Sequence, residues 1–460
     1  MKLAGIVAVL NLGADSSKNA IYYLAHSMRM LQHRGKAYWK IAIGNGVAEK
    51  EGSLPSDDII LKIAKSEKLF GDNGIGYLSK RSPQFPSMRL IQVLLDGFLV
   101  DTEKLYLHPN IGQAKESDSL FKIYYIFVDL LIKKQNPERA AEFLDRHLKG
   151  NIILKLDNNI YAYRNSGGFK PLVTATNKSK TLSIIASENS LRTSLIDMHF
   201  NDVTAGQLIK LSKENGLELL VHLSKDRVMM DPFEFIRESH VTAIVNGKSI
   251  YAIRKNIGKE QANFLANGVE LDSAYAEPDY TRPMTLGFST EYQKYSKNFE
   301  SSEGIIKDRY DDSDHMIDFS EQISKNKLLT TGKSLKFVIE NLVQNKKIAT
   351  MQGTIQTGGT VRETIHYLRQ AGVSRIYVVV CYVPTVDGRQ VGLYTQNREL
   401  IANKYIGKVS SIDGINEALK KDIKADAVYY NSPAILARGI GISENDLWFP
   451  EWVRFLDYIK

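Results

Sequence analysis

The chain has 460 residues, of which 43% are hydrophobic and 24% charged. At roughly 100–200 residues per domain, this length predicts two or three domains with packed cores. No apolar run reaches the ~20 residues of a membrane-spanning helix. The net charge of +8 comes from scattered basic residues without a recognition motif. This pattern favours a solvated basic surface over nucleic-acid or membrane binding.

Two features bear on the cellular compartment and on metal binding. The apolar stretch that begins at Met1 breaks at Asn11 and lacks a small-residue cleavage site, so we do not interpret it as a signal peptide. Cys381 is the single cysteine, which excludes an intrachain disulfide, a cysteine-based zinc site and an iron–sulfur cluster. We therefore expect a cytoplasmic protein without a metal cofactor.

Short apolar runs separated by turn signals fill the first 225 residues. Helices are predicted at residues 19–31, where Ile21, Leu24 and Met28 recur on one face, and at residues 120–133. The predicted strands are residues 5–10, 39–43, 152–156, 160–163, 182–186 and 207–211. Many strands with flanking helices predict a layered α/β sandwich.

The pattern changes near residue 234. Strand-like runs at residues 275–277, 347–351 and 375–380 alternate with helices such as residues 361–371, which predicts a mostly parallel α/β sheet. Residues 294–327 are polar and charged and are expected to form a mobile or extended segment, with the status of a loop or lid.

A set of short motifs occurs in a particular order along the chain. They are AGIV at residues 4–7, LQHRG at 31–35, GIG at 74–76, DG at 96–97, SDS at 117–119, RNSGGFKPL at 164–172, ASE at 186–188, DPFE at 231–234, YAIRK at 251–255, GIIKDRY at 304–310, TGGT at 357–360 and RELIA at 398–402. Their order and spacing resemble the glutamine phosphoribosylpyrophosphate (PRPP) amidotransferase family from residue 4 to about residue 430.

The resemblance implies two domains and a metabolic context. Residues 1–230 would form an αββα N-terminal-nucleophile (Ntn) hydrolase-like glutaminase domain. Residues 231–460 would form a phosphoribosyltransferase-type parallel α/β domain. The family acts at the first step of purine nucleotide biosynthesis and assembles into oligomers.

The glutaminase half departs from the family at its nucleophile. The family uses an N-terminal cysteine, with the free α-amino group as base. The corresponding position here is Ala4, preceded by three residues, and removal of Met1 would expose Lys2. A methyl group cannot form the acyl intermediate, so no catalytic residue is predicted in this half.

Other positions of the glutamine pocket have changed as well. Ser79 stands where the family's carboxylate-binding arginine is expected, and a serine cannot form the bidentate pair. Asp96, Gly97 and Phe98 replace the oxyanion-stabilising Asn-Gly pair and its following Asn, and an acid would repel the oxyanion. Arg34 and Asp118 persist at positions that resemble contacts to the substrate's backbone groups. Their alternative role is that of structural ion-pair or hydrogen-bond partners. The predicted vestigial glutamine pocket comprises Arg34, Ser79, Asp96, Gly97, Phe98 and Asp118.

The phosphoribosyl half keeps its phosphate loop and loses its ribose anchor. The family's two acidic residues, which bind the ribose hydroxyls, are replaced by Gln352 and Gly353. The loop that follows lies between a predicted strand and a predicted helix, where backbone N–H groups favour an anion. The predicted phosphate-binding residues are Thr354, Thr357, Gly358, Gly359 and Thr360. A glycine-rich turn without a ligand is the alternative.

The family's lid has a different composition here. Its usual run is replaced by Asp311, Asp312, Ser313, Asp314 and His315. Carboxylates at these positions would repel pyrophosphate. Their spacing fits no known cation loop, so a solvated loop is favoured over a metal site, and Mg²⁺ is not expected to bind.

Three functional hypotheses follow. The first is a pseudoenzyme that has lost both half-reactions and serves a regulatory or scaffold role. It would bind a purine nucleotide or phosphate and form homo-oligomers, or hetero-oligomers with an active paralogue. The second is an active amidophosphoribosyltransferase that uses substitute residues. The third is a repurposed enzyme with another ligand, for which the sequence offers no motif.

Overall fold

The computed structural model describes residues 4–13, 19–80, 92–102, 105, 119–307, 336–388, 399–405, 407–409 and 411–449. The chain divides into two compact units. The first comprises residues 1–234 and 238–249, and the second comprises residues 235–237 and 250–460. The first unit thus extends beyond the predicted boundary at residue 230. Within the described part of the chain, no helix combines the length and apolar character needed to cross a membrane.

The first unit is built on antiparallel sheets. Its strands are β1 (Ala4–Asn11), β2 (Tyr38–Ile43), β3 (Gly46–Glu51), β4 (Asn73–Ser79), β5 (Val93–Leu99), β6 (Leu148–Leu156), β7 (Asn159–Arg164), β8 (Val173–Asn177), β9 (Leu182–Ala186), β10 (Met198–Asp202), β11 (Gln207–Ser212), β12 (Gly216–His222), β13 (Ile244–Val245) and β14 (Lys248–Ser249). They form a seven-stranded sheet in the order β10-β8-β9-β1-β4-β2-β3, a five-stranded sheet in the order β12-β11-β7-β6-β5, and the pair β13-β14.

Helices cover these two large sheets. They are α1 (Ile21–Met30), α2 (Asp57–Ser66), α3 (Ser119–Val128), which continues as a π-helical turn at Asp129–Lys133, and α4 (Pro137–His147). Side chains alternate along β1, because successive strand residues point to opposite faces. Ile6 and Ala8 enter a core that joins both sheets with α3 and α4, whereas Val7 and Val9 pack under α1 and α2. This layering confirms the predicted αββα sandwich.

The second unit contains a parallel sheet. Its strands are β15 (Ser273–Ala276), β16 (Ile305–Lys307), β17 (Lys336–Val338), β18 (Lys347–Gln352), β19 (Arg375–Val380) and β20 (Ala427–Tyr430). Strands β15, β18, β19 and β20 pair in parallel in the order β15-β18-β19-β20, whereas β16 and β17 form an antiparallel pair. The predicted parallel sheet is confirmed.

Helices connect the strands of the second unit. They are α5 (Ile250–Leu265), α6 (Arg282–Tyr292), α7 (Glu340–Val343), α8 (Gly359–Gln370), α9 (Ile412–Ile423) and α10 (Pro433–Ile440). Because the parallel strands point the same way, Ala276, Gln352 and Val380 end at one edge of the sheet. The segment predicted to be extended, residues 294–327, contains β16, and its residues from 308 onward lie outside the described part of the chain.

Candidate functional sites

The predicted nucleophile position lies at the start of β1. Ala4 is fully buried and lies opposite Ser79 of β4. Its backbone N–H donates a hydrogen bond to Asp96 Oδ1 at 3.2 Å. The nitrogen of Ala4 is therefore a peptide amide bound to a carboxylate, and the side chain beside it is a methyl group.

Arg34 lies next to this position and is fully buried. It ends the short 3-10 turn Gln32–Arg34 that follows α1. Its guanidinium donates to Asp96 Oδ2 at 3.3 Å, to Glu188 Oε2 at 3.2 Å and to Glu234 Oε2 at 2.8 Å. Each of its three nitrogens thus donates to a carboxylate of the protein itself.

Two lysines extend the cluster. Lys170 Nζ lies 2.5 Å from Glu234 Oε1 and 3.3 Å from Asp231 Oδ2, and Lys80 Nζ lies 3.0 Å from Glu238 Oε1. We call this group the buried ion cluster; its members are Arg34, Lys80, Asp96, Lys170, Glu188, Asp231, Glu234 and Glu238. Five carboxylates therefore face three permanent cations, so the cluster has an excess of acid.

The pKa values within the buried ion cluster reflect this excess. Burial raises the pKa of Asp96 to about 6, although Arg34 and Lys170 oppose the rise, and it raises that of Asp231 to about 7, although Lys170 opposes it. Burial also opposes ionisation of Glu234, but Arg34 and Lys170 lower its pKa to about 2. Asp231 is therefore the carboxyl group that titrates closest to neutral pH among these three.

We expect Asp231 to make stability fall as the pH rises. Its pKa of about 7 exceeds its ordinary value of 3.8, so the stability that its proton contributes is complete below about pH 4 and is lost as the pH rises through 7. Glu234 acts in the opposite sense, and its contribution is lost only as the pH falls below about 4.5. Thermal unfolding of the full chain should show a midpoint that decreases between about pH 4 and pH 7.

The variant Asp231→Asn isolates this effect, because an amide does not titrate. The difference in unfolding midpoint between the wild type and this variant should change with pH, whereas Asp57→Asn, at an exposed position, should give a constant difference. If the Asp231→Asn difference stays constant from pH 4 to pH 8, Asp231 does not hold a proton in the folded state.

The predicted oxyanion position is shaped by two glycines. Gly97 of β5 faces Gly150 of β6, and both have positive φ values of 143° and 138°. A Cβ atom on Gly97 would lie 2.3 Å from the carbonyl oxygen of Lys149. Only glycine fits this close approach of two strands. Phe98 follows as a partly buried residue, and Asp118 lies outside the described residues.

The structure therefore brings Ala4, Arg34, Ser79 and Asp96 together, as the sequence analysis anticipates. Glu234 and Lys170 complete the cluster, although no role was assigned to them from the sequence. Both lie within quoted motifs, DPFE and RNSGGFKPL, which was the available signal. Residue 4 carries no nucleophile, and the charged groups that the structure describes here bind one another. This geometry supports the structural alternative for Arg34.

The second candidate site lies at the carboxyl edge of the parallel sheet. Gln352 ends β18, and its Nε2 donates to Thr350 Oγ1 at 3.1 Å and to Glu277 Oε2 at 3.2 Å. Thr364 of α8 donates to the same Glu277 oxygen at 3.0 Å. A buried carboxylate from the end of β15 thus lies beside the position where the family's first acid would stand. No role was assigned to Glu277 from the sequence, although it is the last residue of the predicted strand 275–277.

Tyr280 occupies the neighbouring position. A Cβ atom on Gly353 would lie 2.1 Å from Tyr280 Cε2 and 2.5 Å from its hydroxyl oxygen. The Arg237 guanidinium lies over the Tyr280 ring, 5.0 Å from its centroid. Burial raises the pKa of Tyr280, so it is neutral. Sequence analysis assigned no role to Tyr280.

The predicted phosphate loop leads from β18 into α8. Gly358 has a φ of +83° and precedes the first helical residue, Gly359. Thr357, Gly359 and Thr360 are exposed, so the free N–H groups of the first helical turn are accessible. The Thr354 hydroxyl is buried without a hydrogen-bond partner among the described residues.

Arg362 steadies this loop and adds positive charge beside it. Its Nη1 donates to the Thr357 carbonyl at 3.2 Å, and its Nη2 donates to Asp422 at 3.1 Å. No group of three or more His, Cys, Asp or Glu side chains that could hold a metal ion occurs in the described part of the chain. The acidic run at residues 311–315 lies outside that part.

Comparisons with known proteins find similarity in sequence and in fold over most of the chain. No protein-family model matches the sequence. Amidophosphoribosyltransferase of Archaeoglobus fulgidus is 24% identical over 449 residues, which cover 91% of this chain and 94% of the relative. The amidophosphoribosyltransferases of Synechococcus elongatus and Methanothermobacter thermautotrophicus are 23% and 22% identical, covering 90% and 96% of this chain and 84% and 92% of their own lengths.

Two solved structures share the fold. One, described as the allosteric regulatory enzyme of purine biosynthesis, superposes with a TM-score of 0.73 at 18% identity and covers 96% of this chain and 94% of its own. The other is glutamine PRPP amidotransferase from B. subtilis complexed with ADP and GMP, with a TM-score of 0.70 at 19% identity, covering 95% and 92%. The chain is therefore similar over both units to amidophosphoribosyltransferases, and it shares the fold of the glutamine PRPP amidotransferase structure.

Proposed function

We propose that this protein is a family member without catalytic activity in either half-reaction. In this proposal it keeps a site for phosphate or a nucleoside monophosphate and has a regulatory or scaffold role. The observation that carries the proposal is Ala4, whose methyl group stands at the nucleophile position and whose amide is bound by Asp96. Neither a nucleophile nor a free amine is available there.

The buried ion cluster supports the loss of the glutaminase reaction. A negative charge on Asp96 would oppose the oxyanion that forms during amide hydrolysis. Arg34 already binds Asp96, Glu188 and Glu234, so a substrate would have to displace a carboxylate of the protein. Cys381 offers no substitute nucleophile, because it is fully buried and burial raises the pKa of its thiol.

The sheet edge of the second unit supports the loss of phosphoribosyl transfer. Gln352 is an amide that cannot replace a charged acceptor for ribose hydroxyls, and its Nε2 is engaged by Glu277 and Thr350. At the second acidic position, the ring of Tyr280 fills the space that a side chain on residue 353 would need.

Two observations support a retained phosphate site. The loop Thr357–Thr360 is open at the amino end of a 12-residue helix, and Arg362 lies beside it. The neighbour from B. subtilis was solved with ADP and GMP, so purine nucleotides are the first ligands to test. In keeping with this proposal, we place the protein in the cytoplasm as a homo-oligomer or a hetero-oligomer with an active paralogue. Light scattering of the purified chain, alone and mixed with such a paralogue, tests the assembly.

We expect no glutamine hydrolysis and no PRPP-dependent consumption of ammonia by the purified chain. The variant Ala4→Cys should also stay inactive, because the nitrogen of residue 4 remains in a peptide bond and Asp96 lies against it. Release of glutamate, measured enzymatically, checks the first reaction, with the Archaeoglobus fulgidus relative as positive control. Glutamate release above background by a preparation free of other amidotransferases would refute the proposal.

Thermal unfolding tests separately whether the protein binds phosphate or a nucleoside monophosphate. Inorganic phosphate, AMP or GMP at concentrations well above its dissociation constant should raise the unfolding midpoint, because a ligand that binds only the folded state stabilises it. Thr360→Val should reduce the shift, since it removes a hydroxyl from the loop. Thr290→Val, an exposed threonine on α6, is the matched control and should leave the shift unchanged. A full shift in Thr360→Val would contradict this assignment.

Glu277 favours a second candidate function, an active phosphoribosyltransferase half that uses ammonia. Its carboxylate lies beside the former ribose anchor. In that case the wild type would consume PRPP in the presence of ammonia, and Glu277→Gln would stop it. Absence of PRPP consumption by the wild type, with a positive control in the same assay, excludes this candidate.

A further inference from the structure

The carboxyl edge of the parallel sheet in the second unit has two parts. We call the part occupied by protein side chains the filled half and the accessible loop beside it the open half. In the filled half, the Tyr280 ring lies on Gly353, and a Cβ atom there would be 2.1 Å from Cε2 and 2.5 Å from the hydroxyl oxygen. Overlap at these distances is not relieved by rotating a flexible side chain, because the overlapping atoms belong to a rigid ring. No acidic side chain therefore fits at residue 353 while Tyr280 stays in place.

Tyr280 is held on both sides. One side of Tyr280 lies against Gly353, and Arg237 covers its ring at 5.0 Å. Beside it, Gln352 uses its amide nitrogen on Glu277 and Thr350. Glu277 in turn accepts from Thr364. The side chains of Gln352, Glu277 and Thr364 thus form hydrogen bonds with one another and are not free to bind a ribose.

The open half is the loop at the start of α8. Thr357, Gly359 and Thr360 are exposed, and the buried Thr354 hydroxyl has no hydrogen-bond partner among the described residues. A phosphate group needs only N–H and hydroxyl donors, which this loop supplies. A vicinal diol needs paired acceptors at the end of β18, where Gln352 uses its amide nitrogen on Glu277 and Thr350 and Gly353 has no side chain.

We infer that Tyr280 is a specificity-determining residue that restricts this site to the phosphate group of a phosphomonoester and prevents recognition of a ribose diol. The inference rests on the phosphate binding proposed above and goes beyond it. The ligand class is a phosphomonoester whose affinity depends on its phosphate and not on the hydroxyls of the attached sugar.

Calorimetric titration of the full chain tests the inference without any variant. The probes are inorganic phosphate, ribose 5-phosphate and 2-deoxyribose 5-phosphate, the last of which lacks the vicinal pair of hydroxyls. The two sugar phosphates should bind the wild type with dissociation constants within about twofold of each other. A preference of about tenfold or more for ribose 5-phosphate would overturn the inference while leaving phosphate binding intact.

Variants then identify the residue responsible. The double variant Tyr280→Ala, Gly353→Asp adds an acceptor in the space that the ring vacates, so it should strengthen binding of ribose 5-phosphate relative to inorganic phosphate by about tenfold, whereas Gly353→Asp alone should not. Tyr280→Phe keeps the ring and should behave as the wild type, as should Tyr251→Ala, which removes an exposed tyrosine from α5. An unchanged ratio in a Tyr280→Ala, Gly353→Asp protein with native circular dichroism would overturn the role of Tyr280.

Failure of the underlying proposal has a different signature. If inorganic phosphate and both sugar phosphates release no heat and cause no thermal shift, the phosphate site itself is refuted, and the inference with it. If inorganic phosphate binds and the sugar phosphates differ from each other, only the inference fails.

Discussion

Replacing Arg34 by methionine should destabilise the first unit by about 3–5 kcal/mol, the usual effect of removing one partner from a buried ion pair. The guanidinium is fully buried among Asp96, Glu188 and Glu234, and its loss leaves these carboxylates facing one another in an apolar surrounding. For a unit of this size, the thermal midpoint should fall by roughly 6–20 °C. Denaturant and thermal unfolding of the full chain measure the change.

The chain offers a matched control for this substitution. Arg29 lies five residues earlier, binds Asp57 at 2.6 Å and is partly exposed. Arg29→Met should cost at most about 1 kcal/mol, because surface ion pairs contribute little. Equal destabilisation by the two substitutions would mean that the buried ion cluster does not stabilise the fold more than a surface pair does.

Introducing the family's second acid as Gly353→Asp should destabilise the second unit by about 1–3 kcal/mol, the usual cost of overpacking. The new side chain would collide with the Tyr280 ring. In a Tyr280→Ala background the same substitution should cost less, because the obstacle is gone. The interaction free energy from the double-mutant cycle should therefore be favourable and of the order of 0.5–3 kcal/mol.

Gly268→Asp is the matched control for this cycle. A Cβ atom added to Gly268 would have no neighbouring heavy atom within 4 Å. Its substitution should have a small effect that does not depend on Tyr280. Additive effects of Gly353→Asp and Tyr280→Ala would show that the ring does not occupy the space of an acid at residue 353.

The regular elements with strong patterns could be predicted from the sequence. The apolar run of β1, the helical spacing of α1, and the succession of β18, loop and α8 all follow from local periodicity. Edge strands such as β3 and β12 escaped prediction. Each stands at the end of its sheet among the described strands, and residues such as Glu49 and Leu219 interrupt the apolar pattern that the prediction relies on.

Residues of the candidate sites could be predicted only where they belong to a recognisable sequence motif. Ala4, Arg34 and Asp96 belong to the N-terminal motifs, and the structure brings them together. The contacts of Glu277 and Tyr280 with residues 352 and 353 depend on β15 being the parallel neighbour of β18. Sequence separation of more than 70 residues conceals such contacts, because the strand order is a property of the whole sheet.

The five-residue turn Glu234–Glu238 is shared between the two units, since residues 235–237 belong to the second and both flanking glutamates to the first. A fragment that stops at residue 230 would lack Glu234, the acid that both Arg34 and Lys170 bind. A fragment that starts at residue 250 would lack Arg237 and leave the Tyr280 ring uncovered. No single cut therefore leaves both units with all the side chains that belong to them.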